Sequence, residues 1–129
     1  MNSSLQTVQA FYAALENGDV RRALDCMADD IEWIAMWHYQ VKGRGPQYVA
    51  EGLIEPLIAE WSTFRIAPTE FISEGDSVVS LGRFVGTHAQ TGKQADARYA
   101  HVWTVSNGKI QRFRQYIDTL EVANARIAS

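Results

Sequence analysis

The dipeptide Asn107-Gly108 is the sequence feature that most constrains the fold of this chain. It stands between two runs in which apolar and polar residues alternate, 94–106 and 109–119. Asn-Gly readily adopts the left-handed backbone of a two-residue hairpin turn, so these runs are predicted to pair as antiparallel strands. Two earlier runs, 66–73 and 77–87, predict a second hairpin. The second half of the chain is therefore expected to form an antiparallel sheet.

The first half of the chain has the spacing of helices. Apolar residues recur at steps of three and four at Leu5, Val8, Tyr12 and Leu15. This pattern predicts a helix that ends at Gly18, and Asp19 is suited to cap a second one. A third helix is predicted from Pro46, with apolar residues at steps of four at Val49, Leu53, Leu57 and Trp61. It is expected to kink near Glu55, because Gly52 and a second proline interrupt it.

A short strand is predicted between the second and third helices, over 31–37, with two tryptophans on one face. Helices followed by an antiparallel meander must bury one face of the sheet. The sequence therefore predicts an α+β fold. Its sheet is expected to be cone-shaped, strongly curved and mostly antiparallel, with three helices from the N-terminal half covering a pocket.

The length and composition fit one domain over 1–129, with a core of about 5–119 and a C-terminal segment, 120–129, that is either a mobile tail or a short helix. The chain has 129 residues, of which 47% are hydrophobic and 21% charged. A net charge of −3 without a basic stripe argues against nucleic-acid binding. One cysteine excludes an internal disulfide, and three histidines form no metal motif, so no metal or cofactor is predicted.

The N-terminus lacks the charged and apolar pattern of a signal peptide, and no apolar run approaches the roughly 18 residues of a membrane span. The expectation is a soluble, cytoplasmic protein that does not contact a membrane.

Three stretches resemble the SnoaL-like branch of the nuclear transport factor 2-like superfamily. They are residues 8–19, the segment Ala28-Asp29-Asp30, and the run from Gly108-Lys109-Ile110 to Tyr116-Ile117-Asp118. The resemblance spans about residues 5–119 and implies the fold described above, with a homodimer formed through the sheet. The superfamily includes isomerases, cyclases, hydrolases, dehydratases and non-catalytic proteins, so it implies no single reaction.

The resemblance to ketosteroid isomerases does not extend to their catalytic residues. Their tyrosine falls at Phe11, beside Tyr12, and their base falls near Ala35, which cannot accept a proton. Only their third polar position is retained, as His101. Ketosteroid isomerase activity is therefore not expected.

Two further chemistries match the last strands in part. Limonene-type epoxide hydrolases have an Arg-x-Asp here; Arg83 is retained, Val85 replaces the first aspartate, and Asp118 matches the second. Epoxide hydrolysis is therefore not expected. In SnoaL-like cyclases the aspartate of the last strand falls near Gln115, three residues before Asp118.

Asp118 and His101 are the candidate catalytic residues. A bulge near the strand end would turn Asp118 into the apolar hollow as an acid or base, whereas in the alternative it pairs with Arg83 and closes the sheet. Arg83 alternates with apolar residues such as Leu81 and is therefore expected to point inward. His101 shares one strand face with aromatic residues and is therefore expected to point inward, where it would donate to a ligand or shuttle a proton, or would be a satisfied core residue. His88 is expected to face solvent or a dimer partner.

The predicted substrate-binding residues are mainly aromatic: Trp33, Trp37, Trp103, Tyr12, Gln115 and Arg83. They suit a flat or ring-shaped ligand, although inward aromatic residues are also typical of a core. Two functions follow. The first is a cofactor-free isomerase or polyketide-cyclase-like enzyme acting on a small apolar molecule by acid–base chemistry. The alternative is a non-catalytic small-ligand binding or dimerisation module.

Overall fold

A computed structural model describes residues 3–128, which form an α+β fold with helices packed against a five-stranded sheet. The helices are α1 (Ser3–Glu16), α2 (Val20–Asp25), α3 (Pro46–Val49), α4 (Glu55–Glu60) and α5 (Thr119–Arg126), and a π-helical turn, Ala50–Ile54, joins α3 to α4. The strands are β1 (Met27–Ile34), β2 (Trp61–Glu74), β3 (Ser77–His88), β4 (Gln94–Ser106) and β5 (Lys109–Ile117).

The sheet has the strand order β1-β5-β4-β3-β2. β1 pairs with β5 in parallel, and the other three pairs are antiparallel. The turn between β4 and β5 has positive φ angles at Asn107 (54°) and Gly108 (73°), and it joins the paired residues Ser106 and Lys109. Positive φ at both central residues is the geometry of a type I′ hairpin. The predicted hairpin and the mostly antiparallel sheet are confirmed.

The third helical segment is interrupted close to the predicted position. A Cβ atom on Gly52 would lie 2.5 Å from the carbonyl oxygen of Gln40, so glycine lets the π-helical turn pack against the preceding loop. Pro56 lies in the first turn of α4, where its missing N–H is tolerated. The helix was expected to continue to Trp61, but this residue begins β2 and is buried.

The face of β3 that points toward the helices is the opposite of the predicted one. The predicted inward set included Leu81 and Arg83, whereas the observed inward residues are Val78, Ser80, Gly82, Phe84, Gly86 and His88. Small residues are needed on this face because neighbouring aromatic side chains occupy the space. A Cβ atom on Gly82 would lie 2.6 Å from the Tyr99 hydroxyl oxygen. Arg83 is consequently exposed on the outer face of the sheet.

The C-terminal segment folds as α5 and packs on the sheet. β5 ends just before Asp118, whose carboxylate accepts a hydrogen bond from the Glu121 backbone N–H at 3.3 Å and caps α5. Val122 and Ala125 are buried, and the Thr91 hydroxyl donates to the Ala125 carbonyl oxygen at 2.6 Å. In its described part, the predicted C-terminal segment is thus the short helix, and packing continues past the expected end of the core.

Candidate functional site

An apolar cavity of about 250 Å³ lies between the helices and the inner face of the sheet. Gly18 and Ile58 are exposed at one side of it, whereas His101, Trp103 and Phe113 are buried. The exposed lining residues thus lie on the α1–α2 turn and on α4, and the buried ones on β4 and β5 form what is here called the floor of the cavity. Its lining residues are Phe11, Tyr12, Leu15, Gly18, Val20, Trp33, Trp37, Leu53, Ile54, Leu57, Ile58, Phe64, Ile66, His101, Trp103, Phe113 and Gln115.

A hydrogen-bonded pair, Tyr12 and His101, forms the polar part of the floor. The Tyr12 hydroxyl lies 2.6 Å from His101 Nδ1, and the Trp103 indole N–H donates to the same hydroxyl at 3.1 Å. The Tyr99 ring stacks on the imidazole with ring centroids 3.7 Å apart. The hydrogen bond at Nδ1 and the stacked Tyr99 ring therefore both fix the position of the imidazole. No hydrogen bond joins His101 Nε2 to another group within residues 3–128, and His101 is part of the cavity lining.

Both members of the Tyr12–His101 pair are uncharged at neutral pH. Burial lowers the pKa of His101 well below its usual range. Burial also raises the pKa of Tyr12, and the neighbouring Tyr99 adds to the increase. A buried charge without a partner is strongly disfavoured, so a neutral pair is the form that this apolar wall stabilises.

Three other polar side chains of the lining have an unpaired buried atom. The indole N–H groups of Trp33 and Trp37 and the Oε1 atom of Gln115 have no hydrogen-bond partner in the described part of the chain. Gln115 pairs with His101 across β4 and β5, so their side chains are neighbours on the inner face. A buried polar group without a partner costs about 1–3 kcal/mol. A ligand that carries oxygen atoms could reduce that cost.

Six of the predicted site residues are brought together in the lining: Tyr12, Trp33, Trp37, His101, Trp103 and Gln115. Their contact with a substrate remains a prediction. Several walls of the cavity were not predicted as site residues, among them the aliphatic and phenylalanine side chains of Leu53, Leu57 and Phe113. The helical spacing of the two leucines indicated a buried face, but it could not show that this face borders a hollow.

Asp118 and Arg83 lie outside the cavity, contrary to prediction. Asp118 is exposed and caps α5, because the strand ends before it rather than bulging inward. Arg83 pairs instead with Asp96 on the outer face: its Nε donates to Oδ1 at 2.8 Å and its Nη2 to Oδ2. The predicted Arg83–Asp118 ion pair is wrong. Asp118 is therefore not the acid or base of this cavity, and Arg83 does not bind a molecule there.

A second polar cluster surrounds Glu60 at the end of α4. Its Oε1 accepts hydrogen bonds from His38 Nε2 at 2.7 Å and from the Tyr39 hydroxyl; its Oε2 accepts from His88 Nε2 at 2.9 Å and from Arg126 Nε at 2.7 Å. Although burial opposes ionisation, these donors lower the pKa of Glu60. Both oxygens are fully used, so the cluster ties α5 to the sheet. His88 is buried here, and its predicted exposed position is wrong.

Within residues 3–128, no group of three or more His, Cys, Asp or Glu side chains is arranged to hold a metal ion. Nor does any helix in this range combine the length and the apolar character needed to span a membrane. The half-buried Cys26 is a free thiol.

Comparisons with known proteins agree with the fold. The profile of the SnoaL-like domain matches residues 8–113. An NTF2-like protein of Burkholderia thailandensis is 33% identical, with a TM-score of 0.92 over 98% of this chain and 99% of its own. TerC, co-crystallised with polyporic acid, is 27% identical, with a TM-score of 0.85 over 97% and 98%. IdmH of Streptomyces antibioticus, described as a candidate polyketide cyclase, is 16% identical, with a TM-score of 0.83 over 96% and 98%, and shows the fold alone.

Proposed function

This chain belongs to the SnoaL-like domain family, and from that premise we propose that its cavity binds a flat, largely apolar molecule and transforms it by cofactor-free proton transfer. The proposed activity is that of an isomerase or a polyketide-cyclase-like enzyme. One observation carries the proposal: a hydrogen bond of 2.6 Å joins Tyr12 and His101 within a largely apolar lining.

The size and walls of the cavity support a flat ligand built from rings. An engineered cavity of about 150 Å³ accommodates benzene, so a cavity of about 250 Å³ suits a somewhat larger ring system. Trp33, Trp37 and Trp103 offer flat apolar area and indole groups. TerC was co-crystallised with polyporic acid. This compound is therefore a suitable first probe for the present cavity.

We assign proton transfer to His101. Its Nδ1 bonds to Tyr12, which fixes the ring, and its Nε2 remains for the ligand. When Nδ1 carries the ring proton, Nε2 can accept a proton from a carbon beside a carbonyl group. When Nε2 carries the proton, it can donate to the carbonyl oxygen. Gln115, next to His101 on the inner face, would hold a second polar atom of the substrate.

Binding without catalysis is the second candidate function. It is favoured by the lining, which among the described residues contains no carboxylate or other charged side chain. A buried imidazole with a lowered pKa is a weak base when it acts alone. In this alternative, Tyr12, His101 and Gln115 only orient the ligand.

Isothermal titration calorimetry with polyporic acid and with a two-ring quinone tests the ligand class. We expect saturable binding that His101→Ala weakens about tenfold, equivalent to about 1.4 kcal/mol. Asp118→Asn is the matched control, because Asp118 lies outside the cavity and its substitution should leave the affinity unchanged. Equal affinity in the native chain and His101→Ala would show that the ligand does not contact this residue.

Turnover of 5-nitrobenzisoxazole separates catalysis from binding. This flat bicyclic compound opens when a base removes one proton from carbon, and its coloured product reports on a base in an apolar cavity. Turnover that His101→Ala abolishes supports the enzyme. Equal rates in both proteins, with ligand binding retained, would leave only the binding function.

We also propose that the chain forms a homodimer through the outer face of the sheet. Ile72 and Tyr116 lie on this face with relative exposures of 53% and 47%, and half-buried Val79 pairs with Ile72 between β2 and β3. Exposed apolar residues on one sheet face are typical of an interface.

A further inference from the structure

We infer that the indole N–H groups of Trp33 and Trp37 donate hydrogen bonds to the substrate, and that the substrate is a flat ring compound with carbonyl oxygen atoms at two places. This assignment rests on the proposed function and names the substrate class of the same cavity. Trp33 is assigned to the carbonyl group beside the reacting carbon, and Trp37 to a second, more distant oxygen.

The four tryptophans of the chain form two groups according to the hydrogen bonding of their indole nitrogen. The Nε1 atoms of Trp61 and Trp103 each donate to a tyrosine hydroxyl, at 2.9 Å and 3.1 Å. The Nε1 atoms of Trp33 and Trp37 are buried and have no partner within residues 3–128. Both of these residues line the cavity. The unpaired indole donors thus belong to the wall where a bound molecule would supply an acceptor.

The chemistry of the indole group decides which atom of a ligand it can bind. An indole N–H is a donor only, so it selects an acceptor such as a carbonyl oxygen. The amide of Gln115 is less selective, because it can turn either its oxygen or its nitrogen toward a ligand. Trp33 and Trp37 are only 8% and 7% exposed, so water does not readily replace a missing partner. A carbonyl oxygen would satisfy each donor, whereas a hydrocarbon would leave it unpaired.

Trp33 shares its neighbours on the cavity floor with His101. Its ring stacks on Phe113 with centroids 3.9 Å apart, and the Phe113 centroid lies 4.8 Å from that of the His101 imidazole. Trp33 and His101 also both contact Trp103, each with centroids 6.0 Å apart. We therefore assign to Trp33 the carbonyl oxygen whose neighbouring carbon lies beside His101.

Trp37 belongs to a different part of the lining. It follows β1, and its ring packs edge-on against Phe84 of β3 at 5.4 Å and against Tyr39 at 5.0 Å. Within residues 3–128, neither Phe84 nor Tyr39 is a ring neighbour of His101. The two indole donors therefore lie in separate surroundings, and a ligand that uses both carries two oxygen atoms.

The Trp33 donor also supports the proposed proton transfer. When His101 Nε2 takes a proton from the carbon beside the carbonyl group, the C–H electron pair forms a C=C bond and the C=O π pair moves to the oxygen. Trp33 donates to this oxyanion as it develops. The imidazolium and the enolate are opposite charges within one apolar cavity, so each lowers the cost of burying the other. Nε2 then returns the proton to another carbon of the conjugated system, and His101 is neutral again.

Matched probes test the two donors by NMR of the isotope-labelled native chain. 2-Acetylnaphthalene presents a carbonyl oxygen, and 2-isopropenylnaphthalene has a methylene group in its place and nearly the same shape. We expect the ketone to move the Trp33 indole proton signal downfield of its position with the hydrocarbon, because a hydrogen bond deshields the proton. 2,6-Diacetylnaphthalene should move the Trp37 signal as well. The Trp61 signal is the internal control, because its donor is already paired, and it should be the same with all three compounds.

The NMR outcomes separate this assignment from the proposed function. Ketones that bind saturably but leave the Trp33 and Trp37 signals where the hydrocarbon leaves them would overturn the assignment and leave the binding function intact. Failure of all three compounds to bind would refute the proposed function, and the assignment of the two donors with it.

Isothermal titration calorimetry gives an independent measurement of the Trp33 hydrogen bond. In Trp33→Phe, the affinity for 2-acetylnaphthalene relative to 2-isopropenylnaphthalene should fall about tenfold. Both compounds meet the same altered wall, so the ratio of their affinities cancels the change in packing. Tyr48→Phe removes an exposed hydroxyl outside the lining and should keep the native ratio. A native ratio in Trp33→Phe would overturn the assignment of Trp33.

Turnover of 5-nitrobenzisoxazole tests the role of Trp33 in proton transfer. As the carbon of this compound loses its proton, the N–O bond breaks and the oxygen gains the negative charge. Trp33→Phe should lower kcat about tenfold or more and change KM less. Full kcat in Trp33→Phe, beside an inactive His101→Ala, would overturn the oxyanion role and leave the proposed enzyme intact. An inactive native chain would refute the enzyme and this oxyanion role together, and the NMR shifts would still decide whether ketones bind to the two indole donors.

Discussion

Replacing Tyr12 by phenylalanine removes one oxygen atom from the centre of the proposed site. The Tyr12 hydroxyl accepts from the Trp103 indole N–H at 3.1 Å and lies 2.6 Å from His101 Nδ1. Phenylalanine keeps the ring and its contacts, so the substitution isolates the hydrogen bonds. Two buried polar groups are left without this partner.

The expected loss of stability follows from those two groups. Each buried polar atom that loses its partner costs about 1–3 kcal/mol. Removing the hydroxyl also removes the cost of desolvating it on folding, which stabilises the folded variant by about 1–3 kcal/mol. The net decrease in the free energy of unfolding should be about 1–3 kcal/mol. For a chain of this length this corresponds to a decrease in Tm of about 3–10 °C.

Urea denaturation of the native chain, Tyr12→Phe and Tyr48→Phe measures this loss. The control should lie within about 0.5 kcal/mol of the native chain, because Tyr48 is exposed. A double-mutant cycle with Trp103→Phe should give a coupling energy of about 1 kcal/mol, which isolates the hydrogen bond from the change in packing. A Tyr12→Phe variant as stable as the native chain, or a coupling energy of zero, would refute the proposed network.

Three further predictions concern other parts of the molecule. Gly82→Ala should lower the free energy of unfolding by about 1–3 kcal/mol in urea denaturation, because its methyl carbon would lie 2.4 Å from a backbone oxygen; an unchanged midpoint would contradict this close contact. The pKa of His101 is lowered in the folded state, so below about pH 6.5 the unfolded chain binds a proton that the folded chain does not. The free energy of unfolding should therefore fall from pH 7 to pH 5, and it should fall less in His101→Asn. If Tm changed equally with pH in the native chain and in His101→Asn, that result would count against a buried neutral ring. Ile72→Glu should convert the proposed homodimer to a monomer in light scattering, and an unchanged mass would exclude this face as the interface.

The sequence predicted correctly those parts of the fold that are determined by a few neighbouring residues. Asn107 and Gly108 fix their turn through backbone preference alone, and the pairing of β4 with β5 follows from it. The inward position of His101 and Trp103 followed from alternation along a strand with a long, regular register.

The errors concern residues whose surroundings are set by distant parts of the chain. Asp118 looked like the end of a strand, but the docking of α5 makes it a helix cap. β3 has apolar residues on both faces, so alternation alone could not show that Gly82 points inward to make room for Tyr99. His88 is buried only because Glu60, 28 positions earlier in the chain, supplies a partner. None of these relations has a signal within one strand or helix.

The central claim is that a flat aromatic molecule binds in this cavity with a polar atom on His101. A crystal structure of the chain with polyporic acid tests it most directly. We expect the compound among Trp33, Trp103 and Phe113, with an oxygen atom within about 3.2 Å of His101 Nε2. A compound bound only outside the cavity, or one in the cavity whose oxygen atoms all point away from His101, would contradict the account.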